Sequence, residues 1–191
     1  MIDIEAVAGK SCSASTFGLP MPIVVPGLPG LSASHPANPG SILIRPVHPS
    51  ERGAFIGMAL RSWRDAYLGL LPQADIDDAP AMMARAWDKR QAAFRVAVAD
   101  GVIAGFYSLG EAGHPTDANY LWHLYVDPML QRRGIGRALN AAALDEVASR
   151  GATAAWLDVH AANGKARAFY RALGWRDAGP DPDDPDLVRM D

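Results

Sequence analysis

LYVDPMLQRRGIGRA, residues Leu124 to Ala138, joins a strand to a helix through a turn built of arginine and glycine. A strand-like run from Tyr120 to Val126 halts at Asp127-Pro128. Arg132, Arg133, Gly134, Ile135 and Gly136 then lead into an Ala/Leu-rich helical pattern. Unpaired backbone N–H groups therefore collect beside arginines, which is how a protein holds a pyrophosphate.

Toward the C-terminus, a helix from Gly134 to Arg150 presents Ile135, Leu139, Ala142, Ala143 and Val147 on one face. It stops at Gly151, a residue suited to the left-handed position past a helix end. Thr153 to Val159 reads as a strand. Asn163 opens a helix with Ala166, Phe169, Tyr170 and Leu173 at i, i+3, i+4 and i+7, and Gly174 closes it. Trp175 to Ala178 and Leu187 to Met190 read as strands around the acidic, proline-rich loop Gly179 to Asp186.

Toward the N-terminus, Ile42 to Pro46 is a short strand. A helix entered through Ser50-Glu51 aligns Phe55, Ile56, Ala59, Trp63 and Tyr67, and a second helix is expected over about residues 79–91. Phe94 to Ala99 and Val102 to Leu109 flank Asp100-Gly101, the strongest hairpin signal in the chain. The order β-α-α-β-β-β-α-β-α-β-β predicts an α/β (α+β) fold, with a mixed, mainly antiparallel sheet and helices on both faces.

The 191 residues, 49% hydrophobic and 20% charged, suit one domain with a proper core. Residues 1–41 are rich in Pro, Gly and Ser without helical or strand period, and are expected to be a disordered leader; residues 42–191 form the domain. A net charge of −3 gives no reason to expect nucleic acid or an anionic membrane as partner. Apolar runs fall short of the ~18 residues of a membrane span, and the first residues lack a signal-peptide pattern, so a soluble, cytoplasmic protein is expected. Cys12 is the one cysteine, which excludes an internal disulfide. His35, His48, His114, His123 and His160 lack ligand spacing, so no metal is expected.

The turn is not a dinucleotide fingerprint, because GxGxxG would need glycine where Leu139 stands. It is not a P-loop, because no Gly-Lys-Ser/Thr follows. On its own, Gly134-Ile135-Gly136 also reads as a tight strand-to-helix turn with solvated arginines. However, Gln131-Arg132-Arg133-Gly134-Ile135-Gly136-Arg137-Ala138 resembles the Q/R-x-x-G-x-G/A signature of the GNAT family of N-acetyltransferases. Asn163, Ala166, Phe169, Tyr170, Leu173, Gly174 and Trp175 resemble its second element, N-x-x-A-x-x-F-Y-x-x-x-G-F, with Trp175 replacing the usual Phe. The resemblance covers about residues 42–191, includes Ser62 to Tyr67, and finds no counterpart for the leader.

The resemblance implies an acyl-CoA N-acyltransferase fold that moves an acetyl group from acetyl-CoA directly to a primary amine of a small molecule or peptide in a ternary complex. It implies that the pyrophosphate lies over Gln131, Arg132, Arg133, Gly134, Ile135, Gly136, Arg137 and Ala138, on their backbone N–H groups. The pantetheine arm would lie along the backbone of Leu124, Tyr125 and Val126, on a strand splayed from its neighbour by a bulge, with the Val126 amide as oxyanion donor. Asn163 would contact the arm. Tyr170, seven residues on, would protonate the departing thiolate, since a phenol of pKa near ~10 outlasts an ordinary thiol as proton donor. Helical spacing alone reads Tyr170 as a core aromatic.

The chain departs from the family where a carboxylate or histidine base often stands. Tyr120, Trp122, Leu124 and Val126 fill that strand face, and His123 points the other way. Tyr120 relaying through water and Glu111 from the preceding loop are the candidate bases, and an amine that arrives already neutral needs no strong base. Substrate selection falls to the first two helices and the loop Glu111 to Ala118, with Trp63, Tyr67, Tyr107 and Trp122 as pocket walls, residues that read equally as ordinary core. Asp65, Asp75, Asp77 and Asp78 could attract a cationic amine, though acidic runs are usually solvated faces. Homodimerisation is common in the family that the chain resembles, which makes a homodimer one option, but nothing in the sequence identifies an interface. The main rival is a non-catalytic acyl-CoA-binding regulatory module.

Overall fold

The strands form two small sheets that meet, among the described residues, around Tyr120 and Trp156. The computed structural model describes residues 41–111 and 118–191; the leader and the interior of the Glu111 to Ala118 loop lie outside them. The elements run β1 (Leu43–Pro46), α1 (Arg52–Tyr67), α2 (Gln73–Arg90), β2 (Phe94–Ala99), β3 (Val102–Leu109), β4 (Leu121–Val126), α3 (Ile135–Ser149), β5 (Leu157–His160), α4 (Gly164–Ala172), β6 (Asp177–Pro180) and β7 (Leu187–Met190). This is the expected order. β1-β2-β3-β4 form one antiparallel sheet and β5-β7-β6 the other. A single parallel bridge, Tyr120 to Trp156, joins them, with Leu121 N–H donating to the Trp156 carbonyl at 2.9 Å.

Helices α1 and α2 cover one face of the first sheet. Phe55 of α1 lies 4.7 Å, centroid to centroid, from both Phe94 and Phe106, and 5.2 Å from Trp87 of α2. Truncating such a ring costs ~3–5 kcal/mol. Helix α3 covers the other face, where Ile135, Leu139, Ala143 and Val147 pack with Tyr107, Leu109, Leu157 and Trp175. The Asp100-Gly101 hairpin has both residues at positive φ, 51° and 77°, as a type I′ turn requires.

Three boundaries differ from expectation. Helix α2 begins at Gln73, and Pro80 sits inside it, because Ile76 and Ala79 already carry the buried stripe that continues through Met82, Met83 and Trp87. Burial there outweighs the hydrogen bond Pro80 forgoes. β5 starts at Leu157, just after the Trp156 bridge to Tyr120, and β6 occupies Asp177–Pro180, after Trp175, whose indole donates to Asn140 Oδ1 at 3.0 Å. Among the described residues, no helix is long and apolar enough to cross a membrane.

Candidate active site

Beyond the Tyr120–Trp156 bridge, β4 and β5 diverge and open a cleft of about 930 Å³ between the sheets, walled by α1, α4 and the turn before α3. A bulge prepares the β4 edge of this cleft. Ser108 pairs with His123 but Leu109 with Leu121, leaving Trp122 as the extra residue. The Asp127 N–H donates to the Ala104 carbonyl at 2.9 Å, so Asp127 faces β3. Antiparallel alternation then turns the N–H and C=O of Leu124 and Val126 toward the cleft and commits those of Tyr125 to Phe106 of β3. Two of the three expected backbone contributors thus offer free groups. Tyr125 does not, and presents its side chain instead.

The turn is held by two left-handed residues, Arg132 at φ 67° and Gly134 at φ 81°. Gly134 is the N-cap of α3 with no side-chain cap, and the first intrahelical bond is Ala138 N–H to Gly134 C=O at 3.0 Å. The N–H groups of Ile135, Gly136 and Arg137 are therefore without helical partners and favour an anion. Ala138 leaves the expected set because its N–H is spent inside the helix. Gln131, Arg132, Gly134, Gly136 and Arg137 line the cleft. The Ile135 side chain is buried in the core, and Arg133 reaches outward to Asp100 at 3.8 Å. At Gly136 a Cβ would stand 3.1 Å from the Phe169 ring, so glycine keeps α3 and α4 this close. Asp127, buried, caps the turn through Met129 N–H at 3.0 Å and receives Arg61 of α1.

Asn163 and Tyr170 both line the cleft, as their spacing implied. Asn163 Oδ1 caps α4 by accepting from Ala166 N–H at 3.0 Å, which leaves its amide NH₂ and the second oxygen lone pair for a ligand. Tyr170 is packed between Phe169 and Trp175, and its hydroxyl donates to no acceptor among the described residues. Burial pushes its pKa up, which keeps the proton in place. Tyr67 and Tyr125 stand nearby with their hydroxyls in mutual reach, also raised by burial.

Of the expected acceptor walls, Trp63, Tyr67 and Trp122 line the cleft. Trp122 is covered by the Arg90 guanidinium, 4.3 Å from its ring. Tyr107 is a correction: it faces α3 on the opposite side of the sheet and donates to Glu146 Oε2 at 2.8 Å. Tyr120 is another. Its ring is 2% exposed, sandwiched 4.1 Å from Trp156 and 5.0 Å from Trp122, burial with the neighbouring Asp158 carboxylate raises its pKa, and it is not among the residues that line the cleft. Asp75, Asp77 and Asp78 lie on α2 away from the cleft lining, whereas Asp65 lines it. His123 is buried with Ser108 Oγ at 2.6 Å from its Nδ1.

Two features escaped the sequence reading. Asp158 lines the cleft from β5, its side chain 1% exposed, with its pKa raised by desolvation against the opposing pull of Arg189. The clue was an acid between the core residues Leu157 and Val159. Asp65 Oδ2 receives Lys165 Nζ at 2.8 Å and Gln131 Nε2 at 3.2 Å, tying α1 to both sides of the cleft mouth. No periodicity could have revealed that bond, which joins residues 100 positions apart.

Residues 47–175 match the acetyltransferase (GNAT) family. The chain is 44% identical over 62 residues to the ribosomal protein bS18-alanine N-acetyltransferases of Salmonella typhimurium strain LT2 and Escherichia coli strain K12, a match covering 32% of this chain and 42% of each relative. It is 38% identical over 113 residues to the mycothiol acetyltransferase of Clavibacter sepedonicus, covering 59% of this chain and 35% of that protein. The chain thus spans less than half the length of these curated relatives. In fold it is similar to the PaiA N-acetyltransferase of Thermoplasma acidophilum in complex with coenzyme A, with a TM-score of 0.65 at 24% identity over 78% of this chain and 97% of that one. It is also similar to the ribosomal-protein-S18-alanine N-acetyltransferase of Escherichia coli, with a TM-score of 0.56 at 23% identity over 78% and 92%.

Proposed function

The chain belongs to the acetyltransferase (GNAT) family, and on that premise we propose that it is an acetyl-CoA-dependent N-acetyltransferase acting on a primary amine of a small molecule or peptide by direct transfer. The observation that carries this reading is the cleft itself: one wall offers unpaired helix N–H groups beside Arg132 and Arg137, another the free backbone edge of Leu124 and Val126. Acetyl-CoA would supply the thioester whose acetyl group is transferred. The turn holds its pyrophosphate through the N–H groups of Ile135, Gly136 and Arg137. The edge of β4 takes the pantetheine as an added strand, and the Val126 N–H stabilises charge on the thioester oxygen.

Tyr170 keeps its proton at neutral pH and releases it to the leaving thiolate. Asp158 is the base. Its raised pKa brings a carboxylate closer to the range in which it accepts a proton, and its enclosure means that the amine reaches it through a water. Trp63, Tyr67 and Trp122, together with the exposed Leu68 and Leu70, frame the acceptor side. Asp65, at the mouth, is already paired with Lys165, so it adds little net charge to draw a cationic amine.

Calorimetric titration with acetyl-CoA, CoA, ATP and NAD, followed by a free-thiol assay over alanyl peptides, polyamines, aminoglycosides and amino acids, tests the reading. Selective CoA binding with amine-dependent thiol release is the expected result. The absence of CoA binding would overturn it. CoA binding with no thiol release for any amine would favour the non-catalytic module.

A further inference from the structure

The acidic loop after β6 reaches the cleft through one guanidinium. Asp158 and Arg189 are cross-strand partners in β5 and β7. Arg189 Nε lies 3.1 Å from Asp158 Oδ1 and its Nη2 3.2 Å from Oδ2. The same Nη2 donates to Asp181 Oδ2, and the guanidinium carbon lies 4.3 Å above the Trp156 ring, which fixes its plane. Asp181 is itself pinned: its Oδ1 accepts the N–H of Asp183 at 2.8 Å and of Asp184 at 3.1 Å, and its backbone N–H donates to the Leu187 carbonyl at 3.0 Å. The side chains of Asp158, Asp181 and Arg189 are 1%, 10% and 29% exposed, so little water screens the row.

We propose that Asp181 is a positioning residue, which holds Arg189 shared between two carboxylates and so keeps Asp158 basic enough to take the proton of the acceptor amine. The inference rests on the reading of Asp158 as the base. A guanidinium devoted to Asp158 alone would hold its carboxylate ionised and make it a poor proton acceptor. Shared with Asp181, the cation neutralises only part of that charge, and the second carboxylate repels the first. The groups facing Asp158 are Arg189 from β7, Asp181 from the loop after β6, and the Tyr120 phenol from the start of β4, with Tyr67 of α1 behind Tyr120. Desolvation and Asp181 raise the Asp158 pKa while Arg189 and Tyr120 lower it.

The test is the titration of Asp158 in the full chain, read by NMR of ¹³C-carboxyl-labelled aspartate and assigned by the loss of its signal in Asp158→Asn. Asp181→Asn should lower the Asp158 pKa by ~0.5 unit and Arg189→Gln should raise it by ~1 unit, opposite directions that a general loss of structure would not produce. The acid limb of kcat/KM with acetyl-CoA and an alanyl peptide should follow the same signs. An Asp158 titration unmoved or raised in Asp181→Asn overturns the proposal, and that variant decides alone if Arg189→Gln fails to fold. Asp158→Asn separates the two readings. Full activity in that variant removes the base assignment, whereas loss of turnover with acetyl-CoA binding intact, combined with unmoved titrations, leaves the base standing and removes only the role of Asp181.

Discussion

His123 stands on the strand before the turn, and its chemistry should register in stability rather than turnover. The ring is 7% exposed, lies about 6 Å from the Phe94, Phe106 and Tyr125 rings, and has Ser108 Oγ at 2.6 Å as its polar partner. Burial, aided by the Arg90 cation, pushes its pKa down to about 3 from an ordinary 6.5. The folded pKa is depressed, so the unfolded chain binds the extra proton between these values. The contribution is full above pH 6.5 and is lost as pH falls toward 3. The linkage slope is at most ~1.4 kcal/mol per pH unit, so lowering the pH from 7.5 to 4.5 should remove roughly 2–3 kcal/mol through this group. His123→Gln keeps a polar partner for Ser108 and cannot titrate. Urea unfolding of both proteins across that range should show the wild-type advantage shrinking by about that amount at constant m-value, other titrating groups cancelling in the difference. Parallel stability curves would refute a buried neutral histidine and reopen a protonatable role for it.

Four further variants bear on the cleft and its turn. Gly136→Ala should weaken CoA binding at least ~10-fold, because the new methyl meets the Phe169 ring at 3.1 Å and pries α4 from the turn. Gly134→Ala meets nothing within 4 Å and should instead cost ~1 kcal/mol of stability through its φ of 81°; calorimetry and melting on both variants check the contrast. Tyr170→Phe should lower kcat ~100-fold with little change in KM for acetyl-CoA, provided a viscosity test shows that chemistry is rate-limiting, and unimpaired turnover would return Tyr170 to the core. Asp65→Asn should tighten CoA binding a few-fold by releasing Lys165 and Gln131, a modest gain because Lys165 is well exposed; isothermal titration showing equal or weaker affinity would count against it.

The sequence was most legible where a local rule acts alone. The glycine-arginine turn, the Asp-Gly hairpin and the Asn163–Tyr170 spacing each report backbone geometry or helical phase, and each lands where it was expected. Side chains whose neighbours come from distant elements were not legible. Tyr107 of β3 pairs with Leu124 and Tyr125 of β4 with Phe106, neighbouring pairs with opposite fates, one tyrosine facing α3 and the other lining the cleft, and only the register between β3 and β4 decides which. The resemblance marks Asn163 as a ligand contact, although the same residue type is favoured as a helix N-cap, and its oxygen is used as one. Asp158 gained meaning only when β7 brought Arg189 opposite it.

The bulge at Trp122 explains why one strand can serve three masters. Before it, the Leu121 N–H faces β5 and closes the bridge to Trp156. Were alternation unbroken, His123 and Tyr125 would send their amides the same way, and those of Leu124 and Val126 would be consumed by β3. The extra residue inverts the phase. It sends the His123 and Tyr125 side chains toward the α1–α2 face, where they stack with Phe106, and leaves the Leu124 and Val126 amides bare along the cleft. Pairing β4 with β5 beyond the bridge would satisfy those groups and abolish the cleft, so the unpaired edge is a cost the fold carries for the sake of the site.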